Sequence, residues 1–231
     1  MFEDLATTVR VLRDDVLFRN IKGIRESQSL FDDLADDDDD ILAAIAAELY
    51  DKPDSDYPLI TRPFDYVSVV TFPFVDQNWM ATRFSAGTLY GVWYGAVEME
   101  TTVFESAYHW RRFVEDSFPD IDRVITGERR VFKVLCKGIL VDLVGKEMQF
   151  PGLVDTMSYA FSHQVGEYLY KQAQNGLLSK SARCNGTTAA VFNPDILSDP
   201  RDVCYLVYKF NPARATRIAV ERSVGTVWME I

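Results

Sequence analysis

The sequence predicts an α+β fold, a mixed β-sheet core with flanking helices. Three observations predict it. Short runs rich in Val, Ile and aromatic residues recur beyond residue 66, two amphipathic stretches of helical length lie among them, and Gly and Pro clusters mark the joints. With 231 residues the chain can bury the core of one sizeable domain and carry an appendage. No internal repeat is present.

Residues 1–50 read as a helical arm. Leu5, Val9, Leu12 and Val16 recur at three- and four-residue steps, as do Ile41, Leu42, Ile45 and Leu49. The run Asp36–Asp40 between them is read as solvated loop and N-cap, because it lacks the alternating ligands and turn Gly of a calcium loop. The breaker-rich segment 51–58 is the natural linker, dividing an acidic arm (1–58) from a main domain (59–231).

In the main domain, Tyr66–Phe74 reads as a strand bounded by Pro63 and Pro73. Val92 to Tyr94 is a short buried strand, set among Gly87, Gly91 and Gly95, and a helix runs from about Glu100 to Phe118. Arg129–Val144 is strand-rich on both sides of Gly138. A helix spans Ser158–Gln174 and is stopped by Asn175-Gly176. Ala189–Phe192, Val203–Phe210, Thr216–Val220 and Thr226–Ile231 read as further strands.

The charge narrows the function. Residues 1–58 hold 16 Asp and Glu against 6 Lys and Arg, a net of −10, while the other 173 hold 19 against 18. Acidity therefore belongs to the arm, and direct nucleic-acid binding is disfavoured for want of a basic face. No apolar run reaches membrane-spanning length and the N-terminus lacks a signal-peptide layout, so a cytoplasmic location without membrane contact is expected. Cys136, Cys184 and Cys204 form no Cys-x-x-Cys, and with only two histidines no metal site is expected. Neither a Rossmann glycine fingerprint nor a Walker loop is found.

The segment from Arg83 to Glu105 carries the chemistry. It places a guanidinium before a turn, an aromatic ring at a strand end and a carboxylate one or two turns into the next helix. Alternation puts Trp93 and Tyr94 on opposite faces, so at most one of them faces a cleft. A cation for phosphate oxygens, an aromatic plate and an acid at one mouth suit a dinucleotide whose glycosidic bond is to be broken.

Arg83-Phe84-Ser85, Tyr94-Gly95-Ala96, Glu100-Thr101-Thr102 and Glu105, in this order and spacing, resemble the RES-domain family, the toxin half of Xre–RES toxin–antitoxin pairs. The run Glu105-Ser-Ala-Tyr-His109 resembles one branch of that family, and Gly176-Leu-Leu-Ser-Lys-Ser181-Ala-Arg183 is similar to its Gly-Leu-Leu-x-Pro-Ser-x-Arg segment, with Lys180 in place of Pro. The resemblance runs from about residue 59 onward. It implies an ADP-ribosyltransferase-like fold and consumption of NAD⁺ as substrate, without metal.

On that resemblance Arg83 grips the diphosphate, and Arg62, a looser match, shares the task or lies on the surface. Tyr94 stacks the nicotinamide, Glu105 stabilises the oxocarbenium and Ser181 contacts the ribose. His109, at i+4 from Glu105, is a candidate auxiliary or a packing residue. His163 is expected to pack structurally, and Ser181 is not an acyl nucleophile, since no Gly-x-Ser-x-Gly elbow surrounds it. The family implies an Xre-like antitoxin that blocks the cleft. ADP-ribosylation of a protein target, and a non-catalytic interaction protein with a decayed site, stay open. So do a homo-oligomer and the role of the arm.

Overall fold

A computed structural model describes residues 2–23, 66–119, 121–223 and 225–231. The fold is α+β, with eight strands in one mixed sheet and four α-helices among the described residues. After the short helix α1 (Phe2–Leu5) comes the long strand β1 (Val9–Lys22), and α2 (Ser68–Thr71) leads to β2 (Trp93–Ala96). Helix α3 (Met99–Ser117) is followed by β3 (Ile125–Asp142), then α4 (Ala160–Lys171). Strands β4 (Gly176–Lys180), β5 (Thr187–Val191), β6 (Leu197–Phe210), β7 (Ala219–Ser223) and β8 (Thr226–Glu230) complete the chain.

Strand β3 is the spine. One of its edges pairs antiparallel with β1, from Val9↔Val141 to Lys22↔Arg129. Its other edge takes β6 along most of its length and then β4, in parallel, at Val141↔Leu177. Because β1 also meets β2 at Phe18↔Ala96, and β2, β5 and β4 pair in turn, five strands close into a ring. Strands β6, β7 and β8 extend from it as an antiparallel meander.

The alternation of side chains fills three cores. Inside the ring, Leu12 and Leu17 of β1, Trp93 of β2, Phe132 and Val134 of β3, Leu178 of β4 and Val191 of β5 pack together. On the outer face of the ring, α4 lays Val165 and Leu169 over Leu177, Ala190, Phe84 and Tyr90. Helix α3 lays Val103, Ala107, Trp110 and Val114 over Val131, Leu206, Tyr208 and Val220. Each such fully buried apolar side chain contributes about 1.5–3 kcal/mol relative to exposure. Two helices are thereby fixed on one continuous sheet, with Glu105 on α3, Tyr94 on β2 and Ser181 just past the end of β4.

Three sequence expectations change. The helical reading of residues 1–50 fails over Val9–Lys22, which is a strand, with only Phe2–Leu5 helical before it. The cause is a β-bulge: the register shifts between Arg13 and Asp15, and Asp14 adopts φ 64°. The extra residue brings Leu12 and Leu17, five apart, into the same core, so the strand's apolar pattern loses its period of two. Tyr66–Phe74 is not a strand but a helical turn running into a 3₁₀ turn, because Val69 and Val70 are both buried while Val67 and Phe72 face outward. Gly138 does not interrupt β3, since its missing side chain admits Ile196 against the strand. The expected helix over Ile41–Leu49, the Asp run, the 51–58 linker and Arg62 lie outside the described residues.

Candidate active site

The site begins at the turn Thr82–Ser85, where Thr82 and Ser85 bridge through their own backbone. The buried Ser85 hydroxyl donates to the Tyr90 carbonyl and accepts from the Gly87 N–H. The Tyr90 hydroxyl donates to the Phe84 carbonyl at 2.5 Å, and burial pushes its pKa well up. Helix α4 presses on this turn so closely that a Cβ at Gly166 would lie 2.0 Å from the Phe84 carbonyl oxygen. His163 Nε2 lies 2.7 Å from the Thr82 carbonyl oxygen, so His163 holds the turn, in keeping with a packing role.

Arg83 leaves this turn with its guanidinium over the Tyr159 ring, 4.7 Å from the centroid. Its Nη1 donates to the carbonyls of Asp155, at 2.8 Å, and Leu153, at 3.4 Å. The side chain is thus aimed by the loop before α4 as well as by its own turn.

Tyr94 and Trp93 point to opposite sides of β2, as alternation requires. Trp93 fills the ring interior, while Tyr94 packs beside the core under α4. The Tyr94 hydroxyl donates to Thr82 Oγ1 at 3.0 Å and accepts from the Phe84 N–H at 2.9 Å. Burial pushes its pKa up to about 12, so it stays protonated and braces the Arg83 turn. What Tyr94 has left for a ligand is its ring. Arg19 of β1, which sequence reasoning passed over, donates to the Tyr94 carbonyl at 3.0 Å and lies over Trp93, with its pKa lowered to about 10 by burial.

Glu105 stands in the second turn of α3, half-buried, and Oε1 accepts a 2.5 Å hydrogen bond from Ser181 Oγ. Ser181 is buried just past the end of β4, and its Oγ also accepts from the N–H groups of Arg183 and Cys184. The Ser181 N–H donates to the Gly186 carbonyl, closing the 181–186 loop on itself. Sequence reasoning therefore selected two residues that touch across 76 positions of chain. Lys180, where Pro was the expected pattern, ends β4 opposite Thr187 and lies 3.8 Å from Glu147.

Arg183, at the end of the Gly176–Arg183 motif, is a further residue beside Ser181. Its guanidinium lies over Tyr108, 3.3 Å from the ring centroid, and its buried Nε has no hydrogen-bond partner among the described residues. A cavity of about 160 Å³ is lined by Arg183, Tyr108, Phe104, Arg111, Ile218 and Ile231, and Glu105, Arg83, Tyr94 and Ser181 are not among its lining residues. His109 sits on the exposed side of α3, yet crowding of its ring lowers its pKa, opposed by Glu105 and reinforced by Arg183, Arg83 and Arg112. His109 thus lies within electrostatic reach of Glu105 and of the three arginines.

A model of the RES domain family matches residues 48–211 of this chain. The chain belongs to the RES family. No curated protein matches it. Among solved structures it is similar to the M. tuberculosis MbcT–MbcA toxin–antitoxin complex, with 10% identity, coverage of 92% of both chains and a TM-score of 0.48. The RES match begins before residue 59 and ends one residue past β6, so β1 lies before it, and β7 and β8 after it, in the same sheet.

Proposed function

We propose that this RES-family chain is the toxin of a toxin–antitoxin pair and that it breaks the nicotinamide–ribose bond of NAD⁺. The observation that carries the reading is the Glu105 carboxylate held at 2.5 Å by Ser181, the two residues that the family motifs single out. As the C–N bond breaks, nicotinamide leaves neutral with the bonding electron pair and positive charge develops on the ribose. A fixed carboxylate stabilises that charge without having to reorganise. Water or phosphate then adds to the anomeric carbon and releases its proton. Arg83 and Arg183 supply the cations for the diphosphate, although the chain as a whole carries −11.

Within this reading the Tyr94 ring lines the nicotinamide side and Ser181 acts through Glu105. No metal enters the step. An Xre-like antitoxin covering the cleft, and action in the cytoplasm where NAD⁺ is available, complete the proposal. Incubation of the purified protein with NAD⁺ labelled in the adenylate half tests it. Free nicotinamide together with label in small soluble products supports it. Label retained on protein makes the chain an ADP-ribosyltransferase instead, and intact NAD⁺ overturns the enzymatic reading.

A further inference from the structure

The Ser181–Glu105 contact depends on a loop whose attachment to α3 runs through a residue outside the catalytic group. Glu98 immediately precedes α3 and is exposed. Its Oε2 accepts from Thr101 Oγ1 and from the Thr187 N–H, both at 3.0 Å. Thr187 opens β5, directly after the 181–186 loop, and its carbonyl accepts from the Val97 N–H at 3.0 Å. Gly186 is packed so tightly on α3 that a Cβ there would lie 1.8 Å from Thr101 Oγ1. Cys184 Sγ approaches the same hydroxyl at 3.7 Å. One carboxylate oxygen therefore ties the start of the helix that carries Glu105 to the end of the loop that carries Ser181.

We infer that Glu98 is a positioning residue, a clamp that sets the distance between Ser181 and Glu105. The inference rests on the proposed NAD⁺ cleavage only for its kinetic readout. An ordinary surface glutamate at a helix start leaves the backbone of a distant strand unaffected. Here its acceptor oxygen serves the Thr187 N–H, the Gly186 carbonyl next to it holds the Ser181 N–H, and Ser181 holds the carboxylate. Small displacements at reacting groups cost large factors in rate, so loosening this chain acts on turnover more than on binding.

The test compares Glu98→Ala and Glu98→Gln in the full chain. Glu98 is exposed and outside all three cores, so both variants are expected to fold with the wild-type unfolding midpoint. In Glu98→Ala, amide hydrogen exchange at Thr187 and Ser181 should rise about tenfold or more while the β3 amides stay unchanged. Its kcat for nicotinamide release should fall about tenfold with KM within about twofold, and Glu98→Gln, which keeps an acceptor oxygen, should restore both. Unchanged exchange at Thr187 and Ser181, or faster exchange with an unchanged kcat, overturns the clamp. If the wild-type protein releases no nicotinamide, the proposed activity falls by itself, and the clamp stands or falls on the exchange rates alone.

Discussion

Ser181 Oγ gives its single proton to Glu105 Oε1 across 2.5 Å while accepting the N–H groups of Arg183 and Cys184. A hydroxyl placed this way is a fastener, joining a helix and a loop that are far apart in the chain. Ser181→Ala should lower nicotinamide release by about ten- to a hundredfold through loss of carboxylate orientation. It should also cost about 1–3 kcal/mol in denaturant unfolding, because two backbone donors lose their buried acceptor. Full turnover in that variant would mean that Glu105 needs no such support.

The Arg83 turn should prove equally sensitive to α4. A methyl group at Gly166 would meet the Phe84 carbonyl oxygen at 2.0 Å and the Tyr90 hydroxyl at 2.7 Å. Gly166→Ala is expected to lose about 1–3 kcal/mol by overpacking and to lower turnover by displacing Arg83. Thermal unfolding alongside nicotinamide release checks both effects, and an unaffected melting temperature would show that the helix can slide away without strain.

Strand β1 makes the N-terminal residues part of the core. Leu17 is 1% exposed inside the five-strand ring, whereas Val9 is 52% exposed on the same strand. Leu17→Ala should cost about 2–5 kcal/mol, while Val9→Ala should stay within about 0.5 kcal/mol. Equal and small effects in urea melts would argue that residues 9–22 are dispensable to the domain.

His109 gives the site a pH signature. Its pKa in the folded chain lies below the ordinary histidine value, chiefly through partial desolvation of a ring that keeps solvent contact, with Glu105 opposing the shift and the nearby arginines adding to it. As pH falls through about 6.5 the unfolded chain therefore takes up this proton first, so the contribution is present at neutral pH and is lost on acidification. Stability should fall from pH 7 to pH 5 more steeply in the wild type than in His109→Gln, measured by urea midpoints across that range. Parallel slopes would place the ring in an environment no different from water.

The sheet-and-helix character, the α3 boundaries and the choice of Glu105 and Ser181 as site candidates were legible in the sequence, whereas the hydrogen bond between those two was not. Apolar positions along α3 recur at helical spacing, and the alternation at Trp93 and Tyr94 survives in β2. Strand β1 was not legible, since the bulge at Asp14 destroys the period that reveals a half-buried strand. The segment around Val69 misled for the opposite reason: a single helical turn is too short to show its own period, and its β-branched residues imitate a strand. Strand β4 is a short run buried along nearly its whole length, without alternation, which periodicity alone does not separate from a loop or helix fragment. The roles of Arg19, Glu98 and Arg183 depend on partners far away in sequence, on β2, β5 and α3, and no spacing rule brings these together.

The most direct measurement is nicotinamide release from NAD⁺ by the wild-type protein beside Glu105→Gln, both verified as folded. Turnover is expected of the wild type, with a loss of about a hundredfold or more in the variant, whose neutral amide offers the ribose cation no full negative charge. Equal rates in the two proteins, or no release by folded wild type, would contradict the proposed cleavage.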